Sequence, residues 1–153
     1  MDNSHKKILV PIDFSDITES VIDEAKQVGK SMDMDIILLH VETNPDDFVQ
    51  YSVRAPGLDK VLAQHNEFAK NELDKHKQEL ENAGLSVETC FEIGPIHRTI
   101  IKKIDELSPD MVIVGSHGHG ALYHVLMGSV CESVFKKAQC PVVVVPSEVT
   151  AGV

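Results

Sequence analysis

The sequence predicts an α/β fold: a single-domain, doubly wound, Rossmann-like parallel sheet of five strands in the order 3-2-1-4-5, with helices on both faces. Three observations carry this. Short apolar runs alternate with segments of helical period along the whole chain. Most of the strand-like runs are apolar throughout, as strands covered on both faces are. The third run instead alternates apolar and polar residues, which places it at a sheet edge. With right-handed crossovers, these observations favour the 3-2-1-4-5 order. The domain is read as residues 1–153, with 147–153 as a C-terminal tail.

The first strand is the run Lys7 to Ile12, and Asp13-Phe14-Ser15-Asp16 follows at once. Ile17, Val21, Ile22, Ala25 and Val28 then recur at helical spacing. Ser15 or Asp16 is expected to cap that helix, Glu19 to complete a capping box, and Gly29 to end it. Ile36 to Val41 is the second strand. Glu42 to Gly57 contains Pro45, Pro56 and Gly57 and reads as a long loop. A polar helix follows from Leu58 to about Ala83, with Leu58, Val61, Leu62, Ala69, Leu73 and Leu80 expected on its inner face. Leu85 to Glu92 is the alternating third strand. Gly94-Pro95 opens a helix carrying Ile96, Ile100, Ile101, Ile104 and Leu107. Asp110 to Val114 is the fourth strand, a helix runs from near Met127 to Ala138, and Val142 to Val145 is the last strand.

Composition narrows the function. A chain of 153 residues with 14 Lys plus Arg and 24 Asp plus Glu has a net charge of −10. Such a surface repels a phosphate backbone, so nucleic acid and anionic membranes are not expected partners. The longest apolar stretch, Cys140 to Pro146, is far below the roughly 20 residues of a membrane span. Lys6 and Lys7 precede too short an apolar run for a signal peptide, so a cytoplasmic protein is expected. The three cysteines, Cys90, Cys131 and Cys140, form no CxxC pair and read as small apolar fillers.

In the predicted strand order the winding reverses between strands one and four, and ligands of such sheets lie at the carboxyl ends of the strands at that point. The two loops concerned are Pro11 to Asp16 and Gly115 to Gly128. The second reads Gly115-Ser116-His117-Gly118-His119-Gly120, and Gly128-Ser129 then precedes a helix. Such a loop can bring backbone N–H groups close to an anion, and the helix start adds N–H groups without internal partners. Glycine also serves plain tight connections, and both readings stay open at this point. No GxxxxGK[ST] is present, and Tyr123 stands where GxGxxG would need glycine.

The pattern Gly115-x2-Gly118-x9-Gly128-Ser129 resembles the G-x2-G-x9-G-[S/T] signature of the nucleotide-binding branch of the universal stress proteins. The resemblance extends to Ile8-Leu9-Val10-Pro11-Ile12-Asp13-Phe14-Ser15, to Leu38-Leu39-His40-Val41 and to Cys140-Pro141-Val142-Val143-Val144-Val145, and so covers nearly the whole chain. It implies ATP or AMP as ligand, with Mg²⁺ or Mn²⁺ accompanying ATP. By the same resemblance the backbone of Val41 meets adenine, Pro11, Ile12 and Asp13 line the adenosine, and Asp13 takes the ribose hydroxyls. Gly115 and Gly118 hold phosphates, with Ser116 and His117 between them. Gly128, Ser129 and Val130 offer helix N–H groups, and Ser129 adds its hydroxyl.

His117, His119 and His124 invite a metal, but the surrounding glycines and the lack of nearby Cys, Asp or Glu argue against it, and no protein-held metal is expected. His40, at a buried strand end, reads as structural. Ser15 suits a helix cap better than a nucleophile, and no catalytic residue is assigned. The expected function is a regulatory protein of the universal stress response that binds an adenine nucleotide. The alternatives are a slow ATPase or autophosphorylating enzyme, and a protein-interaction module with a structural nucleotide. The apolar closing strand, placed at an edge, predicts a homodimer through Val142 to Val145.

Overall fold

A computed structural model describes residues 4–44, 56–117 and 127–147. Their order is β1 (Lys7–Pro11), α1 (Thr18–Met32), β2 (Asp35–Glu42), α2 (Leu58–Asn82), β3 (Val87–Ile93), α3 (Ile96–Leu107), β4 (Met111–Gly115), α4 (Ser129–Lys137) and β5 (Val142–Val145). The strands form one parallel sheet in the order β3-β2-β1-β4-β5, as the burial pattern of the sequence predicts. Residues 45–55 of the long loop, 118–126 of the glycine loop and 148–153 of the tail lie outside the described residues.

Successive strand residues face opposite sides of the sheet, and this sorts the core into two layers. Ile8 and Val10 of β1 and Ile36 and Leu38 of β2 pack with Val21, Ile22 and Ala25 of α1 and with Leu73 and Leu80 of α2. Leu9, Ile37, Leu39 and Val41 face the other way, against Ile100 and Ile104 of α3 and Val134 of α4. The continuous apolar runs of β1 and β2 therefore serve both layers at once. Among the described residues, no helix is long and apolar enough to cross a membrane.

Three local expectations are corrected. Helix α1 runs past Gly29 to Met32 and ends on Asp33, whose φ of 53° is left-handed. Gly29 is there for close packing, since a Cβ on it would stand 3.0 Å from the Leu85 side chain. The capping box at the start of α1 does not form: the cap position is Ile17, with no side-chain cap bond, and the Ser15 hydroxyl is buried without a partner. The Asp13 carboxylate accepts the Ser15 N–H instead, at 3.0 Å, with Phe14 between them at a φ of 59°. In α2, Val61 is 60% exposed and the buried residues are Ala69, Leu73, His76 and Leu80. A 25-residue helix spans about 37 Å against roughly 27 Å for the eight residues of β2, so its first turns overhang the sheet.

The three cysteines are free thiols, with Cys131 buried and Cys90 and Cys140 half-buried. Burial pushes each thiol above its ordinary value, which suits inert fillers.

Candidate functional site

The cavity at the carboxyl ends of the strands originates in β1. The N–H of Ile12 turns to β2 and bonds the Leu39 carbonyl at 2.9 Å. Backbone groups alternate sides along a strand, so position 11 faces β4, and a proline there has no N–H to give. The β1–β4 ladder accordingly consists of Ile8↔Met111 and Leu9↔Val112. Beyond it the strands part, and the loops after them border a cavity of about 500 Å³. That is within the usual range of small-molecule sites, roughly 300–1,000 Å³.

Pro11, Ile12, Asp13, Val41, Gly115, Ser116, His117, Gly128, Ser129 and Val130 all line this cavity. Gly118, the remaining residue singled out from the sequence, lies outside the described residues, as do His119 and His124. The structure adds Ile17 and Thr18 at the start of α1, Ile96, His97 and Ile100 from α3, Met127 before α4 and Glu132 within it. Sequence reasoning missed Ile96 and His97 because they follow β3, a strand that does not touch β4. The available signal was Gly94-Pro95, which starts α3 at the carboxyl end of the sheet.

The first turns of α1, α3 and α4 thus converge on one cavity, and none of the three has a side-chain cap. Their amide ends carry partial positive charge toward the same space. Gly128 caps α4 in extended conformation, at φ −70°, and its N–H is held by the Ser116 carbonyl at 2.6 Å. Ser116 is a buried clamp. Its N–H bonds the Val145 carbonyl at 2.8 Å, and its hydroxyl accepts the Ser147 N–H at 3.1 Å. The same hydroxyl lies 2.9 Å from His117 Nδ1, so its bonding is met within the protein. Gly115 serves the packing of α1 against β4: a Cβ on it would stand 3.0 Å from Ile17 Cγ2 and 3.2 Å from the His117 carbonyl.

At the other end, Val41 lies two residues beyond the last β1–β2 pair, Pro11↔Leu39. Leu39 directs its backbone groups to β1, while Glu42 directs its carbonyl to Gly94 beside β3. Val41 shares the parity of Leu39, so its N–H and C=O point past the end of β1 into the cavity rim. The Thr18 hydroxyl is buried and without a hydrogen-bond partner. Ser129 Oγ lies 3.2 Å from His97 Nε2, which joins α4 to α3 across the cavity mouth.

His40 is structural, as expected. The Ile12 carbonyl, 2.7 Å from Nδ1, can only accept, so Nδ1 carries a proton. Nε2 lies 2.6 Å from Glu42 Oε1, and the other oxygen of Glu42 is 3.2 Å from His65 Nε2. Phe14 packs on the ring at 4.4 Å between centroids. This fixes the carbonyl of Ile12, and with it the cavity wall beside Asp13.

The universal stress protein family model matches residues 4–146. Universal stress protein MJ0577 of Methanocaldococcus jannaschii is 34% identical over 157 residues, covering 95% of this chain and 97% of the relative. The solved MJ0577 structure superposes with a TM-score of 0.79, over 94% of this chain and 97% of that one. The AMP-bound universal stress protein of Arabidopsis thaliana shares the fold at a TM-score of 0.69 and 20% identity, over 94% and 93% of the two chains. A universal stress protein solved in complex with cAMP does so at 0.64 and 20%, over 94% and 98%. On the family match and the identity to MJ0577 over nearly the full length of both chains, this protein belongs to the universal stress protein family.

Proposed function

We propose that the protein binds an adenine nucleotide, ATP or AMP, in this cavity and acts as a nucleotide-responsive regulatory protein. One observation carries the reading: the two ends of the cavity offer different recognition chemistry. At the Val41 end, a backbone N–H and C=O point past the end of β1 without a ladder partner. Together they match the edge of adenine, which sets a ring-nitrogen acceptor beside an amino donor. At the α4 end, Ser129 and Val130 present uncapped N–H groups suited to phosphate, and Gly128, whose own N–H is held by Ser116, leaves the approach to them open. Asp13 lines the same cavity and would accept from ribose hydroxyls, and the unpartnered Thr18 hydroxyl supplies a further donor. Ser116 holds the Gly128 end of the site rather than the ligand, because its hydroxyl is already engaged. The two fold relatives solved with AMP and cAMP support the ligand class. Mg²⁺ or Mn²⁺ would accompany ATP on its phosphates.

The regulatory output in this reading is assembly. Strand β5 is at the sheet edge, and Val142, Val143 and Val144 stay only half-buried although all are valine. Antiparallel pairing of two such edges makes a homodimer, and Ser116 connects β5 to the α4 end of the cavity.

The test is calorimetry with AMP and ATP on the wild type and on Gly128→Val. A side chain is compatible with the φ of residue 128, so the fold should survive, while the valine occupies the approach to the α4 amides. Affinity should fall at least about tenfold. Unchanged affinity in Gly128→Val would show that phosphate is not bound there.

A further inference from the structure

We propose that Glu19, His76 and Glu79 form a binding site for a divalent transition cation of the zinc class, outside the nucleotide cavity. One ligand atom from each of the three side chains lies within 4.8 Å of the others. The site joins two elements. His76 and Glu79 stand three residues apart on one face of α2, and Glu19 stands in the first turn of α1. Glu19 is the residue whose capping box does not form, so its carboxylate is not tied to the cap of its own helix.

The independent observation is the state of His76. The residue is 3% exposed, and its Nδ1 is buried with no hydrogen-bond partner. The carboxylate oxygen Glu79 Oε2 is 3.7 Å away, beyond hydrogen-bond reach. Phe14 lies nearly parallel to the ring, with 6.3 Å between centroids and 12° between planes. A buried imidazole nitrogen that stands 3.7 Å from one carboxylate without bonding it, on a ring that clusters with a second, is arranged as a metal ligand would be.

Distance and charge agree on the class of cation. Zinc bonds to His nitrogen and Glu oxygen are about 2.0–2.2 Å, so tetrahedral ligand atoms stand roughly 3.3–3.6 Å apart. The 3.7 Å from Nδ1 to Glu79 Oε2 is close to that spacing, and the exposed glutamates can close the rest by side-chain rotation. Two carboxylates and one neutral imidazole balance a dication. The imidazole selects a borderline transition ion over Mg²⁺, which prefers oxygen alone. Three protein ligands leave a fourth position for water, and the bound ion would pin the first turn of α1 to α2.

The experiment uses the purified, chelator-stripped full-length protein and Zn²⁺ as the probe, in competition with a chromophoric chelator. Glu19→Gln, Glu79→Gln and His76→Gln are compared with the wild type, and AMP calorimetry and far-UV circular dichroism check the fold of each. One tight zinc per chain is expected in the wild type. Each substitution should weaken it at least tenfold, the lower end of what even outer-shell groups cost. The two glutamate variants carry the test if His76→Gln fails to fold. Tight zinc uptake that persists in either glutamate variant would assign the ion to other histidines of the chain and overturn the site. So would a wild type that takes up no zinc at micromolar concentration.

Discussion

In the proposed reading Asp13 has two separable tasks, one within the protein and one toward the ligand, and two substitutions distinguish them. Its Oδ1 accepts the Ser15 N–H at 3.0 Å and closes the turn that holds Phe14 at a φ of 59°. Asp13→Asn keeps an oxygen at that position and removes only the charge. The turn should survive, and thermal stability should stay within about 0.5 kcal/mol of wild type, the usual spread of changes away from the core. Ribose hydroxyls donating to a carboxylate make charge-assisted bonds, worth roughly 1.5–3 kcal/mol against about 0.5–1.5 for neutral ones. The difference of about 1.4 kcal/mol corresponds to a tenfold weaker Kd. Asp13→Ala removes the turn bond as well, about 1 kcal/mol, and should lower Tm by roughly 2–4 °C in a domain of this size. Calorimetric titration with AMP and scanning calorimetry on the three proteins give both quantities. If Asp13→Asn binds AMP as tightly as wild type, Asp13 is a turn residue alone and its assignment to ribose fails.

Gly115→Ala places a Cβ 3.0 Å from Ile17 Cγ2 and 3.2 Å from a backbone carbonyl, so urea unfolding should show a loss of about 1–2 kcal/mol from overpacking. Val144→Lys puts a charge in the β5 edge; wild type should sediment as a dimer and the variant as monomer or aggregate, and a wild-type monomer at micromolar concentration contradicts the edge reading. The Lys103 ammonium, 2.8 Å from Glu92, holds that carboxyl below its ordinary value. A lowered folded value stabilises above the unfolded value and is lost as pH falls through the folded one. Lys103→Met should therefore melt below wild type at pH 7, and the gap should narrow as pH drops below about 4; a gap of constant size would assign it to lost packing.

The sequence by itself determined the strand order and the place of the cavity. Both follow from what each element must bury. Valine, isoleucine and leucine on both faces of β1, β2 and β4 require layers on both sides, and the alternation in β3 requires an edge. The switch point then follows from chain connectivity, and so do Pro11, Asp13, Gly115 and Gly128 as cavity residues, whereas Val41 came from the family resemblance. Side-chain identity along one segment carries this information because burial of a strand or helix face is a local, periodic property.

Tertiary structure alone decided which side chains meet between elements. The sequence pairs Glu19 with the cap of its own helix, whereas the fold leaves that cap unmade and sets Glu19 beside His76, 57 positions later. Gly29 has the look of a helix stop, yet it is a contact with Leu85. Val61 has the spacing of a core residue, yet it lies where α2 overhangs the sheet. His97 reaches the cavity from α3, the helix after a strand two places from β1, and the Ser116 hydroxyl is occupied by Ser147 and His117. These outcomes depend on the distances and register between packed elements, and the period of any single segment does not encode them.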